Sequence, residues 1–172
     1  MASPELSEEL AFTYCVRRLT SAPHTEHNLR TKLRERGYED GVIDAVLARL
    51  RRIGYVDDAQ FAVQWVRSRA RTKALAEPLL RQELRQKGLD DELIEAALRE
   101  AGDGADQERR ALELLERKIP RTLPTDRAEL DKLKRRLGGI LARKGYDGSR
   151  VWRLVDVALS DAAEVASASV DE

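Results

Sequence analysis

The chain is poor in the residues that carry chemistry. Its 172 residues include one cysteine and two histidines. A lone cysteine cannot close an internal disulfide and fits a reducing compartment. Cys15 falls at helical spacing with Phe12, Val16 and Leu19, which makes it a packing thiol rather than a metal or redox group. His24 and His27 straddle the start of a helix. Two histidines with a distant cysteine do not make a zinc site, so they are read as surface residues. Serine and threonine are sparse near them, which argues against a hydrolytic triad. The one GxG, Gly102-Asp103-Gly104, is followed by neither a P-loop lysine nor a strand pattern. The acid pairs Asp57-Asp58 and Asp90-Asp91 sit at helix starts, where capping accounts for them. No enzymatic activity, cofactor or metal is expected.

Long apolar runs are also missing. None reaches the ~18 residues of a membrane span, and no signal-peptide pattern opens the chain. The expectation is a cytoplasmic protein with no membrane partner. Aromatics are only 5% of residues, whereas charged residues make up 36%, well above the usual ~25%. Hydrophobic residues at 42% suffice for a core. Together these favour a helical protein with thin cores and much solvated surface.

What is present in quantity is repetition. LRTKLRERGYEDGVI (29–43), LRQELRQKGLDDELI (80–94) and LGGILARKGYDGSRV (137–151) align without gaps. Each has two leucines four apart, which share a helix face. A glycine follows four residues later and permits a left-handed C-cap. An apolar residue comes next (Tyr38, Leu89, Tyr146), then an acid (Glu39, Asp90, Asp147) that caps or charges the following helix. Each copy is therefore helix, glycine turn, helix.

The first two copies are offset by 51 residues beyond the motif as well. Leu10, Ala11, Tyr14 and Cys15 map onto Phe61, Ala62, Trp65 and Val66. The third copy is offset by 57, with the extra length assigned to the proline-marked stretch 119–127. Each copy gains a preceding helix, so the fold expected is all-α: three tandem three-helix, helix-turn-helix-like repeats in an elongated, curved array. The copies are placed at 1–55, 56–103 and 104–160, with an acidic disordered tail at 161–172. Helices are expected at 6–20, 26–36 and 41–53 in the first copy, with Thr25 as an N-cap. Tyr55 and Val56 are expected in the seam between copies. Gly138 and Gly139 lie inside a helical pattern, which implies close packing or a kink.

Net charge is zero, but charge is segregated. Arg17–Arg36 carries six bases and two acids, and Arg67–Lys87 and Arg127–Lys144 each carry seven and two. Asp90–Glu108 is −7 and Asp156–Glu172 is −5. A single charge run is usually a solvated face. Three at equivalent positions imply a basic stripe along an array spanning roughly 60–90 Å, suited to a polyanion or an acidic protein surface.

The stretch Gly54, Tyr55, Val56, Asp57, Asp58, Phe61, Ala62, followed by Leu80, Glu83, Leu84, Lys87, Gly88 and Leu89, resembles the central signature of the RecX family. The flanking copies match the family plan over about 6–160. The break after the basic run commonly holds a glycine in that family; here it reads Lys73-Ala74-Leu75-Ala76-Glu77-Pro78.

The resemblance implies a non-catalytic regulator. Such a protein binds RecA filaments on single-stranded DNA, lies in the filament groove and inhibits ATP hydrolysis, strand exchange and co-protease activity. It belongs to DNA repair, homologous recombination and the SOS response, and a monomer is expected. On the basic stripe, the contact candidates toward RecA or DNA are Arg67, Arg69, Arg71, Lys73, Arg81, Arg85 and Lys87. Arg30, Lys32, Arg34 and Arg36 flank them in the first copy, and Lys134, Arg135, Arg143 and Lys144 in the third. The alternative is a helical-repeat protein that binds single- or double-stranded DNA directly, with a steep salt dependence. A helical scaffold with neither property is the third reading.

Overall fold

The computed structural model describes residues 4–102 and 104–168. Among these, all regular structure is helical: α1 (Pro4–Ser21), α2 (Glu26–Glu35), α3 (Asp40–Arg52), α4 (Asp58–Lys73), α5 (Glu77–Gln86), α6 (Asp91–Ala101), α7 (Gly104–Glu116), α8 (Arg127–Ala142) and α9 (Gly148–Ala168). The three aligned motifs fold alike. Gly37, Gly88 and Gly145 take φ values of +83°, +82° and +89°. After each one, the next amide reaches back five residues: Tyr38 to Leu33, Leu89 to Leu84, and Tyr146 to Leu141, at 3.2–3.3 Å. This is the Schellman termination that a left-handed glycine makes possible.

The caps follow from the side chains available. Thr25 Oγ1 accepts the amide of Asn28 at 3.2 Å, as the sequence predicts. Asp57, Asp90 and Asp147 accept the amides of Gln60, Leu93 and Arg150 at 2.8–2.9 Å. Glu39, one methylene longer, makes no side-chain cap.

The chain divides into two compact units, and the division does not follow the copies. One takes Met1–Val66 with Arg81–Ala101, and the other takes Arg67–Leu80 with Gly102–Glu172. In the first unit, Ala11 and Cys15 of α1, Leu29 and Leu33 of α2, and Ile43, Val46, Leu47 and Leu50 of α3 form one core with Val56. In the second, Ala111 and Leu115 of α7, Leu133, Leu137 and Leu141 of α8, and Val151, Leu154, Val155 and Ala158 of α9 do the same, joined by Ala76 and Tyr146.

Four details differ from or refine the sequence expectation. Val56 is buried, but Tyr55 is 52% exposed and does not pack in a seam. Gly54 turns the chain at φ +73°, and the two following side chains point to different environments. The six extra residues of the third copy do not lie only in the proline-marked loop, because α8 has sixteen residues against ten in α5. α9 continues past 160 to Ala168, into the stretch expected to be disordered. Aperiodicity removes a packing face, but Ala162, Ala163, Ala166 and Ala168 keep intrinsic helix propensity high. The rest of that expected tail, 169–172, lies outside the described residues. Finally, Gly138 is a close-packing position: a Cβ there would sit 3.2 Å from the Trp152 ring.

Each unit contains a joint between copies. In the first, Thr25 Oγ1 donates to the Lys87 carbonyl at 2.7 Å, and His27 lies against Gly88. In the second, the Ala76 amide donates to the Lys144 carbonyl at 2.9 Å, and Leu79 lies against Gly145. Thr25 and Ala76 are equivalent at the 51-residue offset, and Lys87 and Lys144 at the 57-residue offset. Just before Ala76, Ala74 holds φ +50° in the break where the RecX pattern commonly has a glycine.

Candidate functional site

The basic second helices of the first two copies are not bare. Arg30 of α2 pairs with Asp44 of α3 at 2.7 Å, and Arg34 pairs with Asp40 at 2.9 Å. The same two pairs recur 51 residues on. Arg81 of α5 makes a two-point contact with Glu95 of α6, 2.7 and 3.1 Å, and Arg85 meets Asp91 at 2.8 Å. The paired guanidinium holds the Glu95 carboxyl below the usual range, the Arg81 hydrogen bond being the main cause. Sequence sums place bases on one helix and acids on the next, and the fold brings them together. The shared offset of these four pairs was visible in the sequence and is the signal that finds them.

Two further candidates rest on aromatic faces. The Arg36 guanidinium lies 4.1 Å from the centre of the Tyr14 ring, and at the equivalent place Lys87 Nζ lies 4.5 Å from that of Trp65. Trp65 is itself fixed by donating Nε1–H to Glu83 at 2.8 Å and by stacking on Phe61. Lys32 pairs with Glu35 along its own helix at 2.7 Å.

The basic end of α4 is different. Its cations fall at every second residue, and at 100° per residue that spacing puts Arg67 and Arg71 on one side of the helix and Arg69 and Lys73 on another. Arg67, Arg71 and Lys73 are exposed, and Arg69 is half-buried. Among the described residues, Arg71 and Lys73 have no ion-pair partner. They are the last charges before the Ala74 turn.

In the third copy, Lys134 pairs with Asp156 at 2.8 Å. Arg135 and Arg143 are exposed and make no ion pair among the described residues. Lys144 is half-buried, with its carbonyl committed to the joint described above.

Among the described residues, no group of three or more His, Cys, Asp or Glu side chains could hold a metal ion. Cys15 is fully buried, and burial pushes its thiol up to about 11, so it stays protonated at neutral pH. His24 is half-buried, and its pKa is lowered by burial first and then by the neighbouring Arg18 and Lys87. Among the described residues, no helix is long and apolar enough to cross a membrane.

Comparison with known proteins matches these elements. Residues 11–50, most of α1 through α3, match the family model described as RecX, first three-helix domain. Residues 57–98, α4 through most of α6, match RecX, second three-helix domain. The chain is 42% identical over 158 residues to the regulatory protein RecX of Mycobacterium sp. (strain KMS), covering 91% of this chain and 86% of that one. It is 42% identical over 162 residues to that of Mycolicibacterium smegmatis, covering 94% and 86%. To that of Thermobifida fusca it is 41% identical over 158 residues, covering 90% and 81%. The fold is similar to the crystal structure of RecX from Lactobacillus salivarius, with a TM-score of 0.68 at 20% identity, covering 91% of this chain and 97% of that one.

Proposed function

Because the chain belongs to the RecX family of regulatory proteins, we propose that it regulates recombination by binding RecA filaments on single-stranded DNA and inhibiting their activities, without catalysis of its own. The observation that carries the choice of contact surface is the end of α4, where Arg71 and Lys73 are exposed, lack an acid partner among the described residues and abut the Ala74 turn. Phosphate oxygens and carboxylates present similar acceptors to a guanidinium, so such a surface can meet both components of a nucleoprotein filament. The paired arginines of α2 and α5 are a reserve rather than a competitor. Exposed ion pairs are worth about 0–1 kcal/mol, so an incoming anion can displace Asp40 or Asp91 at small cost. In this reading the protein acts in the cytoplasm, beside its filament.

The test is RecA's hydrolysis of ATP on single-stranded DNA, with this protein added below the RecA concentration. Progressive loss of hydrolysis is expected. Arg71→Glu with Lys73→Glu should raise the concentration needed for half-inhibition roughly tenfold, the scale of a few charge-assisted contacts, with unchanged helicity. Hydrolysis untouched by the wild-type chain would reject the regulator reading for this protein. Undiminished inhibition by the double variant would move the contact away from α4.

A further inference from the structure

The glycine turn after the second helix is made three times and filled twice. An added Cβ would overlap His27 at Gly88 and would lie 2.8 Å from Leu79 Cγ at Gly145, whereas at Gly37 it meets nothing within 4 Å. The carbonyl before each glycine divides in the same way. Thr25 donates to that of Lys87 and Ala76 to that of Lys144, but among the described residues no hydrogen bond reaches that of Arg36. The two closed turns are filled by one kind of element, the start of the second helix of the preceding copy. It reads Thr25-Glu26 in one case and Ala76-Glu77 in the other, a donor followed by an acid in the first turn.

The helix beside the turn shows the same contrast. Leu10, Tyr14 and Arg18 are four apart and share one side of α1. Phe61 and Trp65 are the counterparts of Leu10 and Tyr14 on α4. Phe61 is 9% exposed, and Leu10 is 53% exposed. The Arg36 and Arg18 guanidinium groups lie 4.1 and 6.0 Å from the centre of the Tyr14 ring, and neither has an acid partner among the described residues. In the filled first joint, the acid of the inserted helix start, Glu26, is held by Arg30 and Arg51 of its own copy. A helix start arriving at the open turn would instead find two uncommitted guanidinium groups for its acid.

A second copy of the chain has no such element to offer. Its Thr25 and Ala76 serve its own joints, and the third-copy counterpart, Leu133, is buried inside α8, whose first turn opens with Arg127. We propose that the face formed by Leu10, Tyr14 and Arg18 of α1 with the Arg36-Gly37 turn docks the start of a helix from a partner protein. That helix presents a hydrogen-bond donor to the Arg36 carbonyl and an acid in its first turn to the two guanidinium groups. This goes beyond the regulator reading, because it needs neither RecA nor the end of α4.

The test uses the full chain, labelled with nitrogen-15 and without RecA. The probe is a peptide of residues 21–36, held helical by a lactam between Thr31→Lys and Glu35 and checked by circular dichroism before titration. It should move the amide signals of Leu10, Arg36 and Gly37 saturably and leave those of Gly88 and Gly145 in place. Arg36→Glu in the chain, or Glu26→Lys in the peptide, should each weaken binding roughly fivefold, the upper scale of an exposed ion pair. The two changes together should recover most of the loss. A Gly37 signal unmoved by the helical peptide, or no recovery in the swapped pair, would overturn the proposal. So would a Gly37 signal that moves on dilution of the chain alone, which would give the face to a second copy. Movement on removal of residues 1–3 or 169–172 would overturn it too, by giving the face to the chain's own ends.

Discussion

The two joints between copies use one geometry and two chemistries. In both, the residue before the second helix donates to the carbonyl of the lysine that precedes a turn glycine, and a side chain covers that glycine. In the first joint the donor is a hydroxyl: Thr25 Oγ1 bonds Lys87 and also accepts the Asn28 amide, so one atom serves as helix cap and as joint. In the second the donor is the main-chain amide of Ala76, presented by the left-handed Ala74 two residues earlier. The covering side chain is an imidazole in one and a leucine in the other. The first joint is therefore set by side-chain identity and the second by backbone shape. A repeat can keep a contact while its sequence signature disappears.

The largest effects should come from the turn glycines. Gly37, Gly88 and Gly145 share nearly the same φ, but a Cβ at Gly37 meets nothing within 4 Å, whereas at Gly145 it would lie 2.8 Å from Leu79 Cγ and at Gly88 it would overlap His27. Gly37→Ala should cost about 1 kcal/mol, the left-handed strain alone. Gly88→Ala and Gly145→Ala should each cost roughly 3 kcal/mol, strain plus overpacking. Urea denaturation of the three variants reads the difference. Three equal costs would mean that the joints contribute nothing beyond the turn.

Next comes Thr25→Val, which keeps the shape and removes both hydrogen bonds. A loss of about 1–2 kcal/mol is expected from the cap and the partly buried Lys87 carbonyl left without its donor, and Thr25→Ser should recover most of it. Ala76→Ser at the second joint should change stability little, because the amide and not the side chain makes that bond. A cost at Ala76→Ser equal to that of Thr25→Val would erase the distinction between the joints.

The smallest effect separates the joints by pH. His24 lies near Lys87, and its pKa in the folded chain is below the ordinary 6.5, chiefly through burial. The folded state thus takes up a proton less readily than the unfolded chain. The stability this confers is complete above the unfolded value and is lost as pH falls from about 6.5 through the lower folded value. Between pH 7.5 and 5 the wild type should weaken, and His24→Gln should show a shallower slope. At the second joint the equivalent behaviour lies at the alkaline end. Tyr146 donates to the Gln107 carbonyl at 3.2 Å, and burial raises its pKa. Its contribution is present below about 10 and lost as pH rises through the folded value. Identical acid slopes for wild type and His24→Gln would mean that His24 does not contribute to the acid weakening.

Much of this was legible from sequence because the physics is local. Leucines four apart, a glycine at the left-handed position and an Asp or Thr at most of the caps determine helices and turns within a few residues. The ion pairs of α2 with α3 and α5 with α6 escaped charge sums because a sum over bases ignores the acid opposite. They are evident once Arg30 and Asp44 are read together with Arg81 and Glu95. The α4 run looked like one basic patch, but its two-residue spacing splits it across the helix. Tyr55 and Val56 are both apolar neighbours, and only the turn at Gly54 decides which is covered. Helix length at α8 and α9 depends on propensity, which hydrophobic periodicity does not measure.

The division of the chain also has a consequence for its synthesis. The amino-terminal unit includes Arg81–Ala101, so it is complete only after Ala101 has left the ribosome, although α1 to α3 can pack before then. Arg67–Leu80 is made in between but belongs with residues beyond Gly102. At roughly 5–20 residues per second this segment waits on the order of ten seconds for its partners. During that interval Ala76, buried in the α7–α9 core of the finished protein, is without that cover.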